Sequence, residues 1–227
     1  MSVAAMPMFV TTADTSKARE IPDSLRRYPF KSAIIQLEYG GSCSGIQLVY
    51  IDDYGMKEAK VDSFMTEMMG MQQPTYKMEI TDWDSMFSAD MMRGMASKGL
   101  NPFSAKDRKL LAEVGGQMAK GMGIEEGKDT LLGKPCAVWS MESMSSKVWL
   151  WYDITLKSSV AMDDFKQLLE VKHIDLEVSV PVAAFQIPAG LKTITPEDIN
   201  KMLEKMDQQE EKPPAKKPST KKGKKKK

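Results

Sequence analysis

The segment KVWLWYDITL, residues 147–156, constrains the fold of this chain most strongly. Read as a single strand, it points Val148 and Leu150 to one face and Trp149 and Trp151 to the other. Half-exposed strands alternate apolar and polar residues, so both faces of this strand are expected to be covered. In a chain with mostly β patterns, this predicts a curved sheet that wraps around helices or around an apolar ligand.

The rest of the chain supports a mainly β interpretation. Residues 29–41, 44–55 and 56–65 predict three antiparallel strands joined by tight turns. Helical spacing of apolar residues predicts one helix over 104–122 and another over 195–206. We therefore expect a mainly β (α+β) fold: a single highly curved antiparallel sheet, forming a half-open barrel with two or three helices on its concave side.

Alternation within the first strand separates its two faces. Ala33, Ile35, Leu37 and Tyr39 share one face, and mostly polar residues occupy the other. The following strand alternates less clearly, because apolar residues occur at nearly every position. The closing segment AAFQIPAG, residues 183–190, is expected to complete the sheet.

Composition divides the chain into three parts. Residues 1–19 begin with SVAAMPMFVTTA (2–13), which is mostly small and apolar and is typical of a residual secretory signal or of a disordered terminus. The half-barrel domain is expected over residues 20–209. Residues 210–227 are rich in lysine and proline and contain no large apolar side chain, so they are expected to be disordered.

The net charge of +1 conceals an acidic domain. Nine of the 32 basic residues are lysines within residues 212–227, so 23 basic residues face 31 acidic ones in the rest, a net charge of −8. An acidic domain argues against nucleic acid as a partner. The lysine tail is expected at most to make a weak, salt-sensitive contact with an anionic envelope surface.

The two cysteines, Cys43 and Cys136, lie far apart in sequence and outside any CxxC motif. Together with the single histidine, His173, they supply too few ligands for a zinc site. Two interpretations remain open: one disulfide in an oxidising compartment, or two buried free thiols. We expect no cofactor.

Residues suited to catalysis are scattered. Pairs of neighbouring aspartates coincide with turn signals, where aspartate is favoured because it bonds its own backbone. No GxSxG motif and no glycine-rich phosphate loop occurs in the sequence. The chain is therefore predicted not to be an enzyme.

The sequence contains twenty methionines, which are concentrated between residues 65 and 95. Thioether sulfur binds soft cations such as Cu(I), and methionine also adapts to irregular apolar partners or simply fills a core. All three interpretations remain open. The candidate metal ligands are Met65, Met68, Met91, Met92 and Met95.

Four segments, in their order and spacing, resemble a known group of proteins. They are IPDSLRRYPFKSAIIQLEYGGSCSGIQLVYIDDYGMKEA (21–59), LLGKPCAVW (131–139), VWLWYDITLKSSV (148–160) and AAFQIPAG (183–190). The group comprises the LolA-like secreted bacterial families that are related to the periplasmic lipoprotein carrier. The resemblance implies a strongly curved, partly open barrel in which helices occupy the concave side.

The resemblance also implies a function. We expect a monomeric protein of the periplasm, or otherwise secreted, that binds or carries a lipid or lipoprotein acyl chain, with the helix over 104–122 as a plug or gate. Burial of each methylene group contributes about 0.8 kcal/mol. A Met-rich envelope protein that binds Cu(I), and a structural or interaction domain with a filled core, remain alternatives. The residues expected to line the ligand cavity are Ile35, Leu37, Leu48, Tyr50, Trp149 and Trp151.

Overall fold

A computed structural model describes residues 21–101, 123–162 and 164–194. The chain divides into two units, Met1–Thr193 and Ile194–Lys227. Nearly all of the described residues belong to the first unit. The predictions made for the first 19 residues, for both helices and for the lysine tail lie outside the described residues.

The described residues form a single sheet of twelve strands. Every neighbouring pair in it, from strand Met95–Leu100 near one edge to strand Ile124–Leu131 at the other edge, is antiparallel. The strands are β1 (Ala33–Gly41), β2 (Cys43–Asp52), β3 (Lys57–Met68), β4 (Met71–Asp82), β5 (Ser85–Asp90), β6 (Met95–Leu100), β7 (Ile124–Leu131), β8 (Lys134–Met141), β9 (Ser146–Trp151), β10 (Ile154–Met162), β11 (Phe165–Leu176) and β12 (Lys192–Ile194). Their order across the sheet is β12-β6-β5-β4-β3-β2-β1-β11-β10-β9-β8-β7.

This architecture confirms the mainly β fold and the single curved sheet. The helical segments among the described residues are short 3-10 turns, so helices on the concave side are not confirmed. Register shifts leave one extra residue on each of β7, β10 and β11, namely Glu126, Leu156 and Lys172, and such bulges bend a strand and increase its twist. The sheet therefore curves instead of lying flat.

Two-residue turns connect several of the hairpins. Met69 and Gly70 join β3 to β4, and Leu132 and Gly133 join β7 to β8; all four residues have positive φ. Turns with two positive φ values match the right-handed twist of the flanking strands, so the strands continue to pair without splaying.

The segment 147–156 is a hairpin, so its interpretation as one strand is wrong. Tyr152 (φ 53°) and Asp153 form the turn, and Trp151 pairs directly with Ile154. β9 ends at Trp151 and by itself carries apolar residues on both faces, Val148 and Leu150 on one and Trp149 and Trp151 on the other. The sequence motif therefore reports a turn within a hydrophobic hairpin.

The main core lies on the face of the sheet that carries Ile35 and Leu37, both fully buried. Residues directly opposite each other on neighbouring strands point to the same face. On that basis Val49, opposite Ile35, shares this face, which is called the inner face below. The burial of Ala33, Ile35 and Leu37 confirms the predicted alternation of β1.

An aromatic stack closes one end of the inner face. The Tyr28 hydroxyl donates a hydrogen bond to Glu58 on β3 (3.1 Å), and its ring stacks on Phe30 at 5.3 Å. Phe30 in turn stacks on Trp151 of β9 at 5.2 Å. Four strands separate β3 from β9 in the sheet. The stack therefore fastens two distant strands to each other and holds the sheet in its curved form.

A second, smaller core lies on the outer face. Its buried residues include Ile80 and Phe87, and Phe185 and Leu191 pack over them from the segment after β11. Within this segment, residues Val182–Phe185 form a 3-10 turn. The prediction that AAFQIPAG completes the sheet is therefore wrong: residues 183–190 form no strand, and Phe185 packs on the outer face.

Gly45 occupies a position on β2 that another residue would not tolerate. Its φ is +151°, and an added Cβ would overlap the Ser63 carbonyl oxygen and the Phe64 backbone. Tyr39 and Phe64, which flank Gly45 on the neighbouring strands, bring their rings together at 4.3 Å. Packing of cross-strand aromatic side chains compensates for the missing side chain of a glycine in a sheet.

We expect Gly45→Ala to lower the free energy of unfolding by at least about 1–3 kcal/mol, because the backbone must shift away from strand β3. Urea unfolding measures this change. Gly99→Ala is the matched control: no heavy atom lies within 4 Å of its added Cβ. Its unfolding free energy should change by less than about 1 kcal/mol. Equal effects of the two substitutions would contradict the assigned packing.

We expect Phe30→Ala to lower the free energy of unfolding by about 3–5 kcal/mol, since it empties the centre of the aromatic stack. The midpoint of urea unfolding, monitored by tryptophan fluorescence, checks this value. Leu100→Ala serves as the control because Leu100 is 86% exposed. A loss no larger than that of the control would show that the stack does not hold the fold together.

Candidate functional site: an open cavity on the inner face

The inner face borders an open cavity of about 640 Å³. Strands β2 and β3 line one side of it, β9 and β10 line the other, and β11 contributes Leu169 between them. The volume falls within the roughly 300–1,000 Å³ typical of ligand pockets. The apolar residues of the lining are Val49, Met141, Val148, Ile154, Val160, Met162 and Leu169.

The residues that line this cavity show that the sheet is strongly curved. Lys60 on β3 and Val148 on β9 line the same space, although four strands lie between β3 and β9. Neighbouring strands are about 4.8 Å apart, so a flat sheet would hold these two strands roughly 24 Å apart. The sheet must therefore bend strongly around the cavity.

Charged side chains at the stacked end of the cavity are paired. Glu58 accepts hydrogen bonds from the Arg27 guanidinium (3.2 Å) and the Tyr28 hydroxyl (3.1 Å), and Lys60 pairs with Glu79 at 3.2 Å. Burial, followed by the negative charge of Glu58, raises the pKa of Tyr28 far above its ordinary value. The hydroxyl therefore remains a donor, and the end of the cavity carries no unpaired charge among these groups.

A second polar group lies where β1, β2 and β3 meet. The Asp62 carboxylate accepts hydrogen bonds from the Tyr39 hydroxyl and the Gln47 amide, both at 2.6 Å. Gln47 is only 7% exposed and lines the cavity. Burial and, second, the hydrogen bond to Asp62 raise the pKa of Tyr39. This network places a fixed polar group within an otherwise largely apolar floor.

The opposite end of the cavity leads towards methionines. Met162 lines both the main cavity and a second concavity of about 490 Å³. Hairpin tips surround this second concavity, where Met68 and Met69 are exposed, Met69 by 90%. An exposed methionine at a turn position with positive φ is unusual, because such turns favour glycine or asparagine. The cavity therefore has a closed aromatic end and an open end flanked by methionines.

The structure separates the six residues predicted to line a cavity. Ile35 and Leu37 are buried in the main core, and Trp151 is buried against Phe30. None of the six belongs to the lining of the 640 Å³ cavity. Their role in holding a ligand stays a prediction.

The other three predicted lining residues lie outside the cavity lining. Leu48 and Tyr50 alternate with Val49, and Tyr50 packs against the second core on the outer face. Trp149 packs against the main core, and its indole N–H donates to Asp129 at 2.9 Å. Sequence patterns alone do not distinguish these faces, because both faces of β2 and of β9 carry apolar residues.

The sequence analysis missed the residues of the cavity lining, the apolar ones as well as polar ones such as Gln47, Ser146 and Ser158. Each of these three is an ordinary polar residue within a strand, and no motif surrounds it. The position of these residues on the inner face depends on strand register, so the sequence offers no signal that would have identified them.

Both cysteines are free and buried, which excludes the disulfide alternative in this structure. Cys43 lies opposite Thr66 on β3, whereas Cys136 lies opposite Asp129 on β7. Cys136 belongs to the main core, whereas the Sγ atom of Cys43 lies 3.6 Å from the Oγ1 atom of Thr66. Burial also raises the pKa of the Cys136 thiol.

The structure does not bring the five candidate methionine ligands together. Met68 pairs with Met71 at a hairpin tip, whereas the Met91 N–H bonds to the Tyr76 carbonyl. Tyr76 follows Met71 by five positions on β4, roughly 17 Å along the strand. One ion could not bind both sulfurs.

Residues 21–101, 123–162 and 164–194 contain no group of three or more histidine, cysteine, aspartate or glutamate side chains placed to hold a metal ion. No helix among them has both the length and the apolar character needed to cross a membrane.

We expect Tyr39→Phe to change the pH dependence of stability. Because the folded protein raises the pKa of Tyr39, its contribution is fully present below the unfolded value of about 10 and is lost as the pH rises above it. The unfolding free energy of the wild type should therefore fall more steeply above pH 10, by up to about 1.4 kcal/mol per pH unit relative to the variant. Urea unfolding across this range checks the difference, and parallel curves would contradict it.

Comparison with known proteins assigns no family. Neither a family model nor a curated protein matches the chain. Among solved structures, an uncharacterized conserved protein from Thermus thermophilus is 8% identical, with a TM-score of 0.43 over 76% of this chain and 95% of the other. The MucA/MucB complex structure from Pseudomonas aeruginosa matches with 12% identity and a TM-score of 0.38, over 76% of this chain and 60% of the other. LprF from Mycobacterium bovis has 11% identity and a TM-score of 0.30, with coverage of 73% and 92%. At these scores the similarities identify neither a family nor a ligand.

Proposed function

We propose that this chain is a non-enzymatic binding protein that holds an apolar chain, such as a lipid acyl chain, in the cavity of its curved sheet. The observation that carries the proposal is the cavity itself: about 640 Å³ of open space, bordered by seven apolar side chains. Carriage of a lipid or lipoprotein within the bacterial cell envelope belongs to the same proposal. The four segments that resemble LolA-like families support that location.

The shape of the cavity suits an elongated ligand. The apolar residues Val49, Ile154 and Leu169 lie on three different strands around the same space, so an alkyl chain would contact apolar surface on several sides. Each buried methylene contributes about 0.8 kcal/mol, and a few such groups offset the cost of ordering the ligand. Methionines at the open end adapt to ligands of different shape because their side chains are flexible and polarisable.

Two alternatives receive less support. Copper binding by the five candidate methionines requires sulfurs close to one ion, and the hairpin geometry separates Met68 from Met91. A domain with a filled core would bind no ligand, and the experiment below distinguishes this alternative from the proposed function.

The first experiment asks whether the cavity holds a ligand in solution. The full chain, purified under non-denaturing conditions, should yield a stoichiometric lipid or fatty acid upon organic extraction and mass spectrometry. After delipidation it should bind a fluorescent fatty acid with saturation at one site. Failure to bind the probe after delipidation, together with an empty extract, would favour the filled-core alternative.

We expect Val160→Trp to weaken binding of the fluorescent fatty acid at least tenfold, because the indole would occupy the cavity. Ala161→Trp is the matched control: the neighbouring residue is exposed and points to the opposite face of β10. The control should bind as the wild type does. Equal affinities for the two variants would place the ligand elsewhere on the protein.

A further inference from the structure

One hydroxyl group in the cavity wall has no partner. The Oγ atom of Ser146 is buried and makes no hydrogen bond, and it is the only buried side-chain nitrogen or oxygen in that condition within the part of the chain that the structure describes. Buried polar groups are nearly always paired, because an unpaired donor loses its hydrogen bonds to water without replacement. An orphaned hydroxyl therefore requires an explanation.

The position of Ser146 in the cavity wall offers an explanation for its missing hydrogen-bond partner. It lies on β9 directly opposite Val160 on β10 and Met141 on β8, and it precedes Val148 by two residues. All three of these neighbours line the cavity, as Ser146 itself does. The serine side chain therefore belongs to the inner face, at the open end of the cavity.

The surroundings of Ser146 favour a polar ligand group at this end. Ser143 and Ser158 also line the cavity, and Lys147, which follows Ser146, contributes to the lining while pairing with Glu126. Deeper in the cavity, Val49, Ile154 and Leu169 provide apolar surface beside the polar side chains of Gln47, Asp153 and Thr155. Ser146 thus provides a donor near the open end, and apolar surface for an alkyl chain continues further in.

We propose that the ligand is an amphiphile with a hydrogen-bond acceptor next to its alkyl chain, such as a carboxylate or ester carbonyl oxygen, and that the Ser146 hydroxyl donates to this acceptor. The alkyl chain extends from there towards Leu169 and Ile154. This inference rests on the proposed function, because it requires a ligand in the cavity.

Access to the hydroxyl requires only small movements. A serine side chain has three staggered rotamers, so rotation about one bond redirects Oγ. The neighbouring Met141 has a flexible, unbranched side chain that adapts to a bound group. No change in the backbone of β9 is needed to expose the donor to a ligand oxygen.

The experiment compares two probes in two proteins. Displacement of a bound apolar fluorophore measures the affinities of a saturated fatty acid and of an alkane with the same chain length, first for the wild type and then for Ser146→Ala. We expect the wild type to prefer the fatty acid and Ser146→Ala to lose about tenfold of that preference, while the affinity for the alkane stays unchanged. The unfolding free energy of the ligand-free variant should be equal to or higher than that of the wild type.

Two further variants complete the design. Ser146→Thr keeps the hydroxyl and should keep the preference for the fatty acid. Ser44→Ala removes an exposed hydroxyl on β2 outside the cavity lining and should behave as the wild type.

The possible failures are distinguishable. If the wild type and Ser146→Ala show the same preference, Ser146 is only a structural orphan and this inference is overturned while the proposed function stands. If neither probe displaces the fluorophore from the wild type, the proposed function fails and this inference fails with it.

Discussion

The cavity of this protein depends on the aromatic stack that joins the two sides of its curved sheet. Tyr28 reaches Glu58 on β3, and Phe30 reaches Trp151 on β9, across a gap that four intervening strands would otherwise leave open. A long twisted sheet does not by itself determine how far it curls, because bulges and edge contacts set its curvature. At one end of the cavity, the stack fixes how far the sheet curls through one hydrogen bond and two ring contacts. The other end of the cavity remains open.

The interior of the sheet combines two requirements that usually conflict. A stable fold requires a dense core, whereas a binding protein requires space that its own side chains do not fill. The structure separates them along the inner face: Ile35 and Leu37 are fully buried, while Val49 and Leu169 border the cavity. The polar network of Tyr39, Gln47 and Asp62 adds fixed hydrogen bonds to the floor.

The sequence predicts the fold class better than the site. The reason is that the alternation of apolar residues identifies the buried face in some strands but not in others. In β1 one face is consistently apolar and the other carries Ile34 as its one apolar side chain, so the burial of Ala33, Ile35 and Leu37 follows from alternation. In β2 both Val49 and Tyr50 are apolar and both are covered, each by a different core, so alternation leaves the concave face undetermined.

The hairpin of β9 and β10 shows a second limit. Its turn uses Tyr152 and Asp153, and tyrosine is not a typical residue for a position with positive φ. The sequence therefore reads as one strand where the chain reverses. Ser146 illustrates a third limit, since its significance depends on the missing hydrogen bond, which only coordinates reveal.

The central claim is that the curved sheet encloses a binding site for an alkyl chain on its inner face. The most direct test is a crystal structure of the full chain with a fatty acid brominated near the end of its alkyl chain, with bromine located by anomalous scattering. The account predicts a bromine peak between Val49 of β2 and Ile154 of β10, beside Leu169. A peak on the outer face next to Tyr50 and Phe185, or an ordered structure whose cavity is occupied by the protein's own side chains, would contradict it.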